Sequence, residues 1–249
     1  MPEQPVGRKA ELDRIAEAVR PLSRQKPGGN LLVYGPAGVG KTTCTRYVFD
    51  QLEENTRVTT VYINCWQYNT RSSLLTELLI NLGYPAPRKG KPVDELLSKI
   101  GEWLDKSHGV ALALDEFDQL EAQTEVIYDL QMLNSEADNH LGMVMVSNQD
   151  PRQITLDPRS RSRLNCQTLE FESYGVTQLT EILDKRVEQA FRPGSVPDEV
   201  IDLIAEVVAE RSGDCREALR LLLRLGREAD RSGESQIAVD GVDELLEVL

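Results

Sequence analysis

The segment Gly35-Pro36-Ala37-Gly38-Val39-Gly40-Lys41-Thr42 constrains the fold of this chain more than any other. It fits the spacing G-x-x-x-x-G-K-[S/T] at every position and follows the apolar run Leu31-Leu32-Val33-Tyr34. The glycines let the backbone curl so that successive N–H groups point inward, and a helix starting near Lys41 adds its positive end. A strand, a glycine turn and a helix in that order make a cradle for polyphosphate. Its residues run from Gly35 to Thr43. Lys41 is expected to reach the β- and γ-phosphates, and the Thr42 hydroxyl to sit on Mg²⁺.

A second segment supports this reading independently. Val110-Ala111-Leu112-Ala113-Leu114 reads as a buried strand that ends abruptly in Asp115-Glu116. A carboxylate at a strand end beside the phosphate loop is where Mg²⁺ needs a ligand, so Asp115 is the expected metal ligand with Thr42. Glu116 is the expected base that polarises water for attack on the γ-phosphate. A solvated acidic turn is the plainer alternative, since Asp118 and Glu121 follow closely.

The rest of the chain falls into a pattern around these two motifs. Strands are expected at Leu31–Tyr34, Val58–Asn64, Val110–Leu114 and Gly142–Ser147. Helices are expected around Glu11–Val19, from Lys41 to about Leu52, over Leu74–Leu82 and over Val93–Leu104. Alternation of this kind predicts an α/β fold, a parallel sheet flanked by helices. After about Phe171 only helical periodicity remains, over Leu179–Val187, Asp198–Ala209, Cys215–Asp230 and Val239–Leu249. The expected division is therefore 1–171 for the α/β domain and 172–249 for a small all-helical one.

Composition sets limits on partners. The chain has 249 residues and a formal net charge of −13. Residues 1–171 carry 19 basic and 23 acidic side chains, residues 172–249 carry 9 and 18, so the helical part is the acidic one. Such a surface does not coat nucleic acid or an anionic membrane as a whole, though a local basic patch remains compatible with it. The 20 arginines outnumber the 8 lysines, and an acidic, lysine-poor chain suits a saline habitat. No apolar run has the roughly 18 to 20 residues of a membrane span. Cys44, Cys65, Cys166 and Cys215 are far apart and His108 and His140 are the sole histidines, so reduced thiols are expected rather than a zinc site. The chain reads as cytosolic.

In order along the chain, further segments resemble AAA+ ATPases, and among them the archaeal initiators related to the origin recognition complex and the cell-division-control helicase loaders. Val6-Gly7-Arg8-Lys9-Ala10-Glu11-Leu12 is similar to the N-terminal box that lies against adenine, which implicates Val6 and Arg8. Tyr62-Ile63-Asn64-Cys65 resembles the second strand, and Leu114 to Leu120 the Mg²⁺ and water motif. Val146-Ser147-Asn148 resembles sensor 1, whose Asn148 would orient the attacking water. Leu156 to Leu164 resembles the box of the arginine finger. Of Arg159, Arg161 and Arg163, the resemblance favours Arg163, acting on a neighbouring subunit; a surface cluster pairing with Asp150 and Asp157 is the alternative. Phe171-Glu172-Ser173-Tyr174 with Arg186 resembles the hinge into the lid, where Tyr174 and Arg186 would contact nucleotide. Ser212-Gly213-Asp214-Cys215-Arg216-Glu217-Ala218-Leu219 resembles sensor 2, with Arg216 on the γ-phosphate. A planar, permanently charged guanidinium suits the charge that develops there.

The resemblance implies ATP and Mg²⁺ as cofactors and an ATP-driven switch for replication initiation as the function, with slow hydrolysis resetting it. Residues 66–91 occupy the place of a helical insert that initiators lay on duplex DNA. Trp66, Tyr68, Arg71, Arg88, Lys89 and Lys91 could serve there, or Leu74–Leu82 could be a core-facing helix with a solvated rim. Family members usually continue into a winged-helix domain, whereas this sequence stops at Leu249. An AAA+ ATPase that remodels a protein partner without specific DNA binding is the main alternative. A signalling module that rarely hydrolyses fits less well with the acid pair and Asn148.

Overall fold

The computed structural model describes residues 4–85, 90–136, 140–154, 157 and 164–239. Contacts divide the chain into two units, residues 1–35 with 41–171, and residues 36–40 with 172–249. The first holds α1 (Lys9–Val19), β1 (Asn30–Tyr34), α2 (Lys41–Asn55), β2 (Thr59–Asn64), α3 (Arg71–Asn81), α4 (Val93–Leu104), β3 (Val110–Asp115), α5 (Gln123–Glu136), β4 (Leu141–Ser147) and β5 (Gln167–Glu170). The strands form one sheet in the order β2-β3-β4-β1-β5, with every pairing parallel.

Parallel strands need helices on both faces, and the sequence supplies strands apolar on both sides. Every residue of β3 and β4 is buried. Leu32, Val61, Ile63, Leu112, Leu114, Met143 and Met145 face a core closed by Leu74, Leu75, Leu78 and Leu79 of α3, Leu96 and Ile100 of α4, and Ile127 and Leu130 of α5. By the two-residue period, Leu31, Val33, Ala111, Ala113, Val144 and Val146 point the other way, toward α1 and α2. The alanines give α2 room to lie close to β3.

Among the described residues, at least three elements go beyond the periodicity. The first is the edge strand β5, only four residues long and polar apart from Leu169, so it has no apolar signature. The second is α5. Its buried residues Val126, Ile127, Leu130 and Leu133 follow helical spacing, but the buried Asp129 on the same face breaks the pattern. Arg71 resolves that conflict with two hydrogen bonds to the Asp129 carboxylate, Nε at 2.6 Å and Nη2 at 2.7 Å. A short 3₁₀ turn over Arg20–Arg24 is the third.

The second unit contains α6 (Val176–Ala190), α7 (Asp198–Arg211) and α8 (Cys215–Ser232). Each buries a stripe at helical spacing: Leu179, Ile182 and Leu183; Val200, Ile201, Ile204 and Val208; Ala218, Leu221, Leu222 and Leu225. Asp214 caps α8, its carboxylate accepting the Arg216 N–H at 2.7 Å, and Gly233 ends it in the left-handed region. The helix expected over Val239–Leu249 lies outside the described residues apart from Val239. Cys44 and Cys65 are buried, Cys166 and Cys215 half-buried, and none of the four is in a disulfide. Burial pushes the Cys44, Cys65 and Cys166 thiols up to about 12.

Candidate active site

The site residues of the first unit gather at the carboxyl ends of β1, β3 and β4, where a parallel sheet opens into its crevice. β1 delivers the chain to Gly35, whose φ of 145° and close approach to the Phe171 carbonyl exclude a side chain. A Cβ there would lie 2.2 Å from that oxygen. α2 begins at Lys41, directly after the glycine turn, where the first N–H groups of a helix suit an anion.

Lys41 is buried, and its Nζ donates to the Gly35 carbonyl at 2.7 Å and to Asn148 Oδ1 at 2.9 Å. This joins the phosphate-loop lysine to the asparagine that follows β4. Asn148 is fixed in turn by its backbone N–H, which donates to Asp118 Oδ1 at 3.1 Å. Burial raises the Asp118 pKa, but hydrogen bonds from Gln119, the Asn148 backbone and Ser147 outweigh it and hold the carboxyl below its usual range.

Thr42 and Asp115 lie within hydrogen-bonding distance of each other. The Thr42 hydroxyl donates to the Asp115 carboxylate, 3.1 Å from Oδ1 and 3.2 Å from Oδ2. Among the described residues no cluster of three or more His, Cys, Asp or Glu could hold a metal by itself. One hydroxyl and one carboxylate nevertheless suit Mg²⁺, which keeps several waters and takes phosphate oxygens rather than a protein cage. Glu116 follows in the left-handed region at φ 54°, half-buried, its N–H donating to Asp115 Oδ1 at 3.1 Å. A non-glycine residue held in that conformation is an outlier of the kind that gathers at functional sites.

Tyr62 also belongs to this group, and the sequence reading placed it only within a strand motif. Its hydroxyl donates to Asp115 Oδ2 at 2.5 Å, and the Arg46 guanidinium lies 4.1 Å from its ring centroid. Burial, followed by the Asp115 charge, raises the Tyr62 pKa above its ordinary value, so the phenol remains a donor. The signal was register: Tyr62 pairs with Ala113 and Asn64 with Asp115, which puts Tyr62 and Asp115 on one face.

The N-terminal residues are placed differently from one another. Val6 is half-buried, whereas Arg8 is buried, pairs with Glu11 at 2.7 Å and lies 5.1 Å from the centroid of the Phe171 ring. Thr43 is exposed.

The second unit includes the crown of the phosphate loop, Pro36, Ala37, Gly38, Val39 and Gly40. The Asp214 carboxylate occupies the space where a Gly38 side chain would be, 1.6 Å from an added Cβ, and Gly38 has φ 72°. The Cys215 N–H donates to the Gly38 carbonyl at 3.3 Å. Tyr174 is buried with its hydroxyl against Gly40, and its N–H donates to the Gly213 carbonyl at 3.2 Å. Arg186 and Arg216 are exposed, and Arg186 donates to Gln189 at 2.8 Å.

Arg159, Arg161 and Arg163 lie outside the described residues, as do Arg88 and Lys89. In the insert, α3 is core-facing through Leu74, Leu75, Leu78 and Leu79. Arg71 is held by Asp129 and Lys91 by Glu95, so neither is a free cation; Trp66 is 69% exposed.

Comparison with known proteins accords with this geometry. A family model described as an AAA domain matches residues 24–154, and one described as a Cdc6 AAA+ ATPase-type lid domain matches 180–245. An ORC1-type DNA replication protein of Pyrococcus furiosus is 33% identical over 243 residues, covering 92% of this chain and 58% of the relative. ORC1-type DNA replication protein 1 of Archaeoglobus fulgidus is 33% identical over 249 residues, covering 97% of this chain and 61% of its own length. The chain thus spans about three fifths of these relatives. Among solved structures, the Aeropyrum pernix ORC1 protein in complex with DNA matches with a TM-score of 0.84 at 30% identity, over 99% of this chain and 67% of that one. Cdc6p from Pyrobaculum aerophilum shares the fold with a TM-score of 0.82 at 24% identity, over 95% of this chain and 65% of that one. Phosphate loop, acid pair, parallel sheet and lid together make this chain a member of the AAA+ ATPases, in the branch of the origin-recognition and cell-division-control proteins.

Proposed function

We propose that the chain binds and hydrolyses ATP as a switch of the replication-initiator type, with residues 1–171 as the nucleotide-binding domain and 172–249 as its lid. The convergence of Lys41, Thr42, Asp115 and Asn148 within one unit carries this reading. Lys41 and the loop N–H groups bind the phosphates, and Val6 and Arg8 flank the base. Thr42 and Asp115 hold Mg²⁺, which neutralises charge on the phosphate oxygens when bound. Glu116 takes the proton of the attacking water, and Asn148 orients that water. Tyr174, Arg186 and Arg216 answer the nucleotide from the lid, so that ATP draws the two domains together and hydrolysis lets them part. Arg163 completes the site of a neighbouring subunit.

Duplex DNA is the partner that its relatives suggest, since they are named as replication proteins and one is described in complex with DNA. One observation favours the second reading, in which the chain acts on a protein partner. Arg71 and Lys91, two of the insert's four expected cations, are already paired with Asp129 and Glu95. Titration with fluorescent ATP tests the common core of both readings. Lys41→Ala is expected to abolish binding that the wild type shows; equal affinity in the two proteins would overturn the phosphate-loop assignment. Steep salt dependence of duplex binding by the wild type would then separate the first reading from the second.

A further inference from the structure

We propose that Tyr62 is a positioning residue for the metal site, acting through Asp115; this rests on the nucleotide reading above. An aspartate carboxylate rotates readily about its last bond, because that torsion is broad. Mg²⁺ tolerates little error, since it demands near-octahedral geometry at short distances. Something must therefore hold the Asp115 carboxylate in one orientation. Thr42 cannot do so alone, because its hydroxyl is nearly equidistant from the two oxygens at 3.1 and 3.2 Å. The Tyr62 hydroxyl breaks that symmetry by donating to Oδ2 at 2.5 Å while Oδ1 takes the Glu116 N–H at 3.1 Å, so the two oxygens are held by different partners.

Tyr62 is itself held from two sides. Its backbone lies in β2, in register with β3 from Thr59↔Val110 to Asn64↔Asp115, so the distance from phenol to carboxylate is set by sheet pairing. Its ring face meets the guanidinium of Arg46, on the same helix that carries Lys41 and Thr42. Helix α2 thus supplies one hydroxyl to the carboxylate directly and braces the second through Arg46. Outer partners of metal ligands act in this way elsewhere, by fixing the orientation of the ligand.

Tyr62→Phe is the test, because it keeps the ring and the Arg46 contact and removes only the hydroxyl. Binding of fluorescent ATPγS is measured in EDTA and across a Mg²⁺ titration, and bound Mn²⁺ is counted by electron paramagnetic resonance. The variant is expected to bind nucleotide like the wild type in EDTA and to need about tenfold more Mg²⁺ or Mn²⁺ for half-saturation. An unchanged metal midpoint overturns the proposal. Weaker nucleotide binding in EDTA with an unchanged midpoint also overturns it, by assigning Tyr62 a purely architectural part. If the wild type binds no nucleotide in either condition, the nucleotide reading itself fails and the proposal falls with it.

Discussion

The two units prepare their polar side chains in opposite ways. In the sheet unit, Lys41, Thr42, Asp115, Asn148 and Asp118 bond to one another or to nearby backbone before any nucleotide is considered. In the helical unit, Arg186 and Arg216 stand exposed on the surfaces of α6 and α8, and buried Tyr174 and half-buried Asp214 press on the loop crown instead. A network costs little to reorganise when charge develops, which suits groups that must be in place throughout the reaction. Exposed arginines can be engaged and released, which suits groups that report whether a γ-phosphate is present. The contrast implies that substitutions in the two units separate stability from turnover differently.

Arg216→Ala probes that separation with the largest expected effect. Turnover is expected to fall on the order of a thousandfold, as for other arginines that meet transferring phosphate. The melting free energy should stay within about 0.5 kcal/mol, because an exposed side chain is removed. Steady-state ATPase assays and denaturant melts on the same preparation check both halves. A large loss of stability would break the contrast by making Arg216 a structural residue. Asp214→Ala tests the opposite behaviour in the same unit, since its carboxylate caps α8. It is expected to cost about 0.5 to 2 kcal/mol of stability, read from chemical denaturation. A cost near zero would remove the cap from the account.

The smallest expected effect is a pH dependence in the sheet unit. Asp118 is held below its usual range, so it binds fewer protons when folded than when unfolded. Its contribution is present above the unfolded carboxylate range and is lost as pH falls through the lower folded value. Asp118→Asn should therefore flatten the acid side of the stability profile relative to wild type. Identical profiles would show that the Asn148 N–H finds an equivalent acceptor.

What could be read from sequence follows the same division. The phosphate loop and Asp115-Glu116 were legible because their chemistry is carried by residues adjacent in the chain. The Tyr62–Asp115 bond joins residues 53 apart and becomes visible only once β2 and β3 are in register. Helix α5 was hidden because Asp129 stands at a core position, and its partner Arg71 lies 58 residues away. Strand β5 is recruited by the exposed edge of β1 rather than by an apolar pattern of its own. In the lid, Leu179, Ile182 and Leu183 and their counterparts on α7 and α8 were plain, since an amphipathic stripe is a local property. The roles of Arg186 and Arg216 are not local, so neither pattern nor helix position fixes them.

The central claim is that the sheet unit separates holding ATP from breaking it, with Lys41 serving the first task and Glu116 the second. Glu116→Gln tests it most directly, with ATP binding and single-turnover hydrolysis measured on one sample. The account predicts binding like that of the wild type, with hydrolysis slowed by roughly 10²- to 10⁴-fold, the range typical of a lost general base. Hydrolysis at the wild-type rate would contradict it.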